Sequence, residues 1–108
     1  MAKYLFQVTY TSEAWAAQVQ NPQNRIEVVR PAIEHLGGRI ECAYYAFGDY
    51  DVVGIAEMPN NVSMAAIAIA LAAGGAAKAI KTTPLMTIEE GIEAMRKASG
   101  TGYRPPGS

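Results

Sequence analysis

The sequence predicts an α+β domain with a four-stranded antiparallel sheet, helices on one face of that sheet, and one more helix at the C-terminus. Two observations predict this class. Several segments alternate apolar and polar residues with the period of two that is typical of strands. Between them, other segments repeat apolar residues every three or four positions, as amphipathic helices do. A chain of 108 residues fits one such domain.

A strand and two helical segments open the chain. Residues 3–10 alternate aromatic or β-branched side chains with polar ones, which predicts a strand. Thr11 has N-cap chemistry for a short helical segment, which is expected to end at Asn21-Pro22. Residues 23–36 place apolar side chains at helical spacing and are followed by Gly37-Gly38. They therefore predict a helix that closes on a glycine in the left-handed conformation.

A β-hairpin is predicted next, with strands at 39–47 and 50–58 and Gly48-Asp49 as a two-residue loop. A Gly-X loop suits a type II′ turn, because glycine takes the positive φ at its first position. This turn would pair Phe47 with Tyr50 and make both faces of the hairpin largely apolar. One face would carry Tyr45, Phe47, Tyr50 and Val52, and the other Ile40, Cys42, Tyr44, Val53 and Ile55. Since a sheet with helices on one side usually has a polar second face, the hairpin predicts a second cover.

The next helix and strand follow the break at Pro59. An alanine-rich helix is expected to begin with Asn61 or Ser63 as its cap and to end at Gly74-Gly75. Residues 77–86 predict a weaker strand, which Pro84 places at an edge or a strand end.

The C-terminal helix begins at a capping box, Thr87 to Glu90, and its apolar positions are Ile88, Ile92 and Met95. The complete order is strand, helix, strand, strand, helix, strand and terminal helix, which is the ferredoxin-like βαββαβ arrangement. Residues 1–98 are predicted to form this single domain and residues 99–108 a flexible tail.

The amino-acid composition argues against several classes of binding partner and cofactor. Nine basic and ten acidic residues give a net charge of −1 without clusters, so we expect neither a nucleic-acid nor a membrane partner. The single cysteine, Cys42, cannot form an internal disulfide, and no metal-binding or nucleotide-binding motif is present, so no metal and no cofactor are expected. The start of the chain does not resemble a signal peptide, and the most apolar run, 64–73, is short, which predicts a cytoplasmic protein.

The segment from Gly37 to Asn61, GGRIECAYYAFGDYDVVGIAEMPNN, resembles the signature region of the GYD-domain family of small bacterial proteins. The motif comprises Gly48 and Tyr50-Asp51, followed by an apolar strand and Pro59-Asn60. The resemblance covers the chain up to about Arg96. It implies a dimeric α/β-barrel arrangement, in which subunits pair the uncovered faces of their sheets around a cavity. Antibiotic-type monooxygenases, muconolactone isomerases and chlorite dismutases share that architecture, but the GYD family implies no activity of its own.

The candidate catalytic residues are Asp51, Tyr50 and His35. Asp51 and Tyr50 would act at a cavity mouth as general base and hydrogen-bond donor, and His35 is a candidate because histidine is the usual acid/base residue of enzymes. The alternative for Asp51 and Tyr50 is turn chemistry, in which Asp51 binds nearby backbone donors. For His35 it is simple stabilisation of a helix C-terminus. The candidate ligand-binding residues are Tyr44, Tyr45, Tyr50 and Asp51.

Other residues have plainer interpretations. Cys42 is expected to pack as a small apolar side chain, since no activating base is adjacent in sequence.

Two candidate functions of the protein therefore remain. The first is a homo-oligomeric module, a dimer or larger, that pairs sheet faces and binds a small molecule or has a structural role. The alternative is a cofactor-independent enzyme, similar to an isomerase or monooxygenase, acting on a small aromatic or carbonyl compound.

Overall fold

A computed structural model describes residues 1–107. In chain order the elements are β1 (Ala2–Tyr10), α1 (Ser12–Gln20), α2 (Arg25–His35), β2 (Arg39–Tyr45), β3 (Val52–Met58), α3 (Asn61–Ala73), β4 (Ala77–Leu85) and α4 (Ile88–Ser99). The strands form one antiparallel sheet in the order β2-β3-β1-β4. The predicted α+β class and the C-terminal helix are confirmed, and the order of elements is roughly ferredoxin-like, with α1 added before α2.

The core lies between the sheet and two helices, α2 and α3. We call the side of the sheet that these helices cover the helix face. Alternate residues of β3 point to it, and four of them are buried: Val52, Gly54, Ala56 and Met58. The central cluster joins strand residues to Ile33 of α2 and to two residues of α3; its buried members are Tyr4, Ile33, Ile40, Met58, Met64 and Ile67. Apolar burial of this kind is the main force that holds the layers together.

Side-chain caps begin the helices, and those of α1 and α4 are the ones that the sequence predicts. The Thr11 hydroxyl accepts a hydrogen bond from the Ala14 amide, and Thr87 and Glu90 form the complete capping box of α4. Gly37 ends α2 with a φ of 86°, in the left-handed region that favours glycine. The cap of α3 is Asn60, whose side chain accepts from the Ser63 amide at 2.9 Å, so the prediction of Asn61 or Ser63 was wrong by at least one residue.

The predicted two-residue hairpin loop is wrong. β2 ends at Tyr45 and β3 begins at Val52, so the connection is six residues long, and Phe47 and Tyr50 lie outside the strands. The register nevertheless agrees with the prediction next to the loop, because Tyr45 pairs with Val52. Asp51 explains the wider loop: its amide donates to the Val8 carbonyl oxygen of β1 at 2.8 Å, which ties it to the neighbouring strand.

A β-bulge corrects the prediction for Ile40. The pairing of β2 with β3 shifts between Ile40 and Cys42, leaving Glu41 as the extra residue. Ile40 is therefore buried on the helix face, and it does not share a face with Cys42 and Tyr44 as predicted. The bulge lets an isoleucine enter the core while the next part of the strand keeps its own alternation.

The other side of the sheet, which we call the open face, is apolar across its middle. The pairing places Leu5 beside Ile55 and Ile55 beside Cys42, so these three residues form a row across β1, β3 and β2. The exposed side chains of Tyr44 and Leu85 lie on the same face. Within residues 1–107, the core that α2 and α3 form with the sheet lies on the opposite side, the helix face.

A charged row crosses one end of the open face. Lys3 of β1 pairs in register with Glu57 of β3, and Glu57 pairs with Arg39 of β2. The Lys3 ammonium group also binds the Glu41 carboxylate at 2.9 Å. The hydrogen bond from the Arg39 guanidinium lowers the pKa of the Glu57 carboxyl below its ordinary value.

The C-terminal helix projects from the domain. None of the residues of α4 is buried, and the described chain measures 60 × 33 × 22 Å. Its radius of gyration is 17.5 Å, whereas a compact domain of this length has about 13 Å. Residues 100–107 form no helix or strand, and the last residue of the predicted tail, Ser108, lies outside the described part. No helix within residues 1–107 has the length and apolar character needed to span a membrane.

Candidate functional site

Asp51 joins three elements at one end of the sheet. One oxygen of its carboxylate, Oδ2, accepts from the Tyr10 amide at 2.9 Å and from the Trp15 indole nitrogen at 3.2 Å. Its carbonyl oxygen accepts from the Ala46 amide at 2.8 Å. A carboxylate that receives donors from a strand and a helix fixes both to the loop. Asp51 therefore has the backbone-binding geometry of the turn interpretation, extended to the side chain of α1.

Trp15, which binds this carboxylate, also contacts two tyrosine rings. Trp15 meets Tyr10 edge to face with 5.3 Å between ring centroids, and Tyr45 lies 6.4 Å from Trp15. Burial raises the pKa of the Tyr10 phenol above its ordinary value of 10; Tyr45 and Asp51 act in the same direction, and the positive charge of Arg25 opposes them. Tyr10 therefore stays protonated at neutral pH and can donate a hydrogen bond.

Two cavities meet at Tyr10. The inner cavity, of about 70 Å³, lies between the helix face and the helices α2 and α3, and nearly all of its lining is apolar. The outer groove, of about 470 Å³, runs beside β2 next to the start of α2 and is more open. Both are lined in part by Tyr10, Ile26, Ile40 and Val52.

The structure brings some of the predicted site residues together and separates others. Tyr44 and Tyr45 line the outer groove, although their side chains leave β2 on opposite faces. Trp15 links Asp51 to Tyr45, because its indole nitrogen donates to the Asp51 carboxylate and its ring contacts the Tyr45 ring. Tyr50 is half-buried in the loop just before Asp51. His35 ends α2 at the opposite end of the sheet from Asp51, beside the start of β2. The three candidate catalytic residues therefore do not form one cluster.

Three residues of this region were absent from the sequence prediction: Tyr10, Trp15 and Arg25. Each is separated from Asp51 by at least 26 positions in the sequence, so no local motif connects them. The single tryptophan, placed just after a strand and an N-cap, was the one available signal. Among residues 1–107, no group of three or more His, Cys, Asp or Glu side chains is placed to hold a metal ion.

Comparison with known families decides the assignment of the chain. Its sequence matches the model of the GYD domain over residues 4–95, which is most of its length. The chain belongs to the GYD-domain family. The match runs from Tyr4 in β1 to Met95 in α4, so the GYD domain contains nearly the whole sheet, both cavities and the Asp51 site. No curated protein and no solved structure gives a significant match.

Within the GYD domain, the motif residues occupy the connection between β2 and β3. Gly48 has a φ of 150° and an open surrounding, while Tyr50 and Asp51 lead into β3. The loop is also held at Asp49, whose carbonyl oxygen accepts from the Thr9 hydroxyl at 2.9 Å. The motif of this GYD domain thus anchors the loop to the end of β1.

Proposed function

We propose that this GYD-domain protein is a homo-oligomeric module that binds a small molecule and has no catalytic activity. The observation that carries the proposal is that two apolar surfaces have no partner within residues 1–107: the open face and one side of α4. Open apolar surfaces of this kind mark sites of association. The occupant we propose for both is a second copy of the same chain.

The open face supports pairing of sheets. Its middle row, formed by Leu5, Ile55 and Cys42, is apolar, and the exposed Tyr44 side chain extends that surface toward the loop. Sheets pack face to face when such rows interdigitate. A symmetric partner presents the same row, so the surface complements itself.

The charges of α4 support the same occupant. Ile88, Ile92 and Met95 form an apolar stripe, with 79%, 41% and 71% of their surfaces exposed. Acidic residues lie in the first half of the helix, and Arg96 and Lys97 lie in its last turn. Two copies of α4 packed antiparallel would pair their stripes and bring acidic residues of each beside basic residues of the other. Two antiparallel copies of an amphipathic helix with this charge order are electrostatically complementary to each other.

Light scattering and native mass spectrometry of the full chain test the oligomer. We expect a stable assembly at micromolar concentration. Ile92→Glu on α4 and Tyr44→Asp on the open face should each weaken association by at least about tenfold, because each buries a charge in an apolar contact. Val62→Glu on the exposed surface of α3 is the matched control and should change nothing, since 79% of Val62 is exposed. A stable monomer of the unchanged protein contradicts the proposal.

The outer groove is the proposed place for the small molecule. It offers tyrosine side chains on one wall and polar groups from α2 on the other, a mixture that suits a small ligand. The enzyme alternative requires Asp51 as a base, but its Oδ2 already accepts two hydrogen bonds. This occupation favours the binding module. If Tyr50→Phe and Asp51→Asn abolish a chemical activity while the fold stays stable, the enzyme alternative replaces it.

A further inference from the structure

We propose that the inner cavity binds a small apolar molecule with one anionic group, such as a short-chain carboxylate. The apolar part would lie between the sheet and the helices α2 and α3, and Arg25 would bind the anion at the mouth. The inner cavity shares four lining residues with the outer groove, but Val29, Ile67 and Leu71 line the inner cavity and not the groove.

The size and lining of the inner cavity set the apolar part of the ligand. A water molecule needs about 10–15 Å³ in this measure of volume, so about 70 Å³ accommodates roughly five atoms of similar size. Phe6 and Val8 form part of the floor, and Val29, Ile67 and Leu71 form part of the walls. Protein cores rarely leave such space empty, and an apolar lining does not hold water well. A chain of about five carbons fits this space.

Arg25 sets the charge of the ligand. Its side chain lines the inner cavity and also the depression between α1 and α2, which places it at the boundary between apolar interior and solvent. Among residues 1–107, Arg25 takes part in no ion pair, whereas Arg30 on the same helix pairs with Glu27 at 3.1 Å. A guanidinium stays charged at any ordinary pH and binds carboxylates with two parallel hydrogen bonds.

The surrounding polar groups agree with an anion at this position. Tyr10 lines the same end of the cavity, and its protonated phenol can donate a second hydrogen bond. The negative charge of Asp51 lies nearby, but Oδ2 is bound to the Tyr10 amide and the Trp15 indole. The Trp15 ring contacts both the Tyr10 ring and the Tyr45 ring, so the three rings do not form an open aromatic cage for a cation.

The test compares three probes of equal length: hexanoate, hexanol and hexylammonium. Binding to the full-length protein is followed by fluorescence of Trp15, the only tryptophan, and by amide shifts in NMR spectra. For molecules of this size we expect dissociation constants on the order of millimolar. Hexanoate should bind at least about fivefold more tightly than hexanol, and hexylammonium most weakly, because only the carboxylate forms charge-assisted hydrogen bonds with the Arg25 guanidinium.

Two variants locate the site. Arg25→Gln should remove the preference for hexanoate over hexanol, while the control Arg30→Gln should leave it unchanged. Ala68→Leu places a larger side chain in the inner cavity and should weaken both probes at least about fivefold. If circular dichroism shows that Ala68→Leu does not fold, Val29→Phe fills the cavity from α2 instead.

Several results would overturn the inference. They are equal binding of hexanoate and hexanol, preference for hexylammonium, no saturable binding, or hexanoate binding that neither Arg25→Gln nor Ala68→Leu changes. Amide shifts confined to Tyr44 and Tyr45 would place the ligand in the outer groove, which rejects the inner site and leaves the proposed module intact. Oligomeric state is measured on the same samples, so its loss is recognised separately.

Discussion

At the scale of single residues, Asp51 has the largest structural role of the residues singled out in the sequence. Its amide, carbonyl oxygen and carboxylate each form a hydrogen bond, and the partners come from β1, α1 and its own loop. The sequence allowed the prediction that Asp51 binds backbone donors, because aspartate commonly does so in turns. It did not identify Tyr10 or Trp15 as the donors, since contacts between distant positions depend on the folded sheet.

Replacing Asp51 tests this role. Asp51→Ala removes two hydrogen bonds to a charged acceptor and should lower the free energy of unfolding by about 2 kcal/mol. Urea denaturation followed by Trp15 fluorescence measures the loss. Asp49→Ala is the matched control two positions away, because the carboxylate of Asp49 accepts no hydrogen bond among residues 1–107. Equal stability of the two variants would show that Asp51 does not hold the elements together.

At the scale of elements, the strands and helices were predictable and the irregular positions were not. Alternation along β1 and the cap chemistry of Thr11 and Thr87 depend on neighbouring residues only, so the structure agrees with what they predict. The bulge at Glu41 and the wide loop before β3 are set by contacts with other strands. For the loop, the competing bond is that of the Asp51 amide to β1, which a two-residue turn model does not include. Local turn preference was therefore overridden by pairing within the sheet.

Gly54 in β3 illustrates a requirement of the sheet that the alternation pattern does not show. A Cβ at this position would lie 2.4 Å from the Phe6 ring and 2.5 Å from the Cys42 carbonyl oxygen. The backbone of the neighbouring strand cannot move away without breaking its pairing. Glycine is therefore required here for the close packing of Phe6.

Gly54→Ala should lower the free energy of unfolding by about 1–3 kcal/mol, because the added methyl group overpacks the sheet. Gly74→Ala at the end of α3 is the matched control. A Cβ there meets only the Ala70 and Leu71 carbonyl oxygens, at 3.5 and 3.6 Å, which is ordinary contact. Thermal denaturation of both variants decides the question. A Gly54→Ala protein as stable as Gly74→Ala would mean that the strands separate easily at this point.

At the scale of the whole molecule, the projecting helix determines the shape. The domain without α4 has a covered face and an open face, and α4 adds a second exposed apolar surface beyond the sheet. The sequence predicted the helix and its stripe of Ile88, Ile92 and Met95, but amphipathic spacing cannot tell which surface the stripe will meet. In the proposed assembly that surface belongs to another copy of the chain.

Reversing the charges of α4 tests the antiparallel pairing. Glu89→Lys with Glu93→Lys, or Arg96→Glu with Lys97→Glu, should each weaken association several-fold, because like charges then face each other across the interface. The protein with all four changes should recover most of the lost association. Analytical ultracentrifugation measures the assembly, and circular dichroism checks that α4 remains helical. Failure of the fourfold variant to recover would rule out this arrangement of the helices.

The charged row of Lys3, Glu57 and Arg39 has a consequence for how the sheet assembles. Exposed ion pairs add little to the stability of the folded protein. The effect of the charged row on other possible orders of the strands is therefore of more interest. If β1 and β2 were neighbours at this position, Lys3 and Arg39 would face each other and repel. With β3 between them, each cation meets the same carboxylate. The row therefore disfavours, by a small amount, only the misordered sheet in which Lys3 lies directly opposite Arg39.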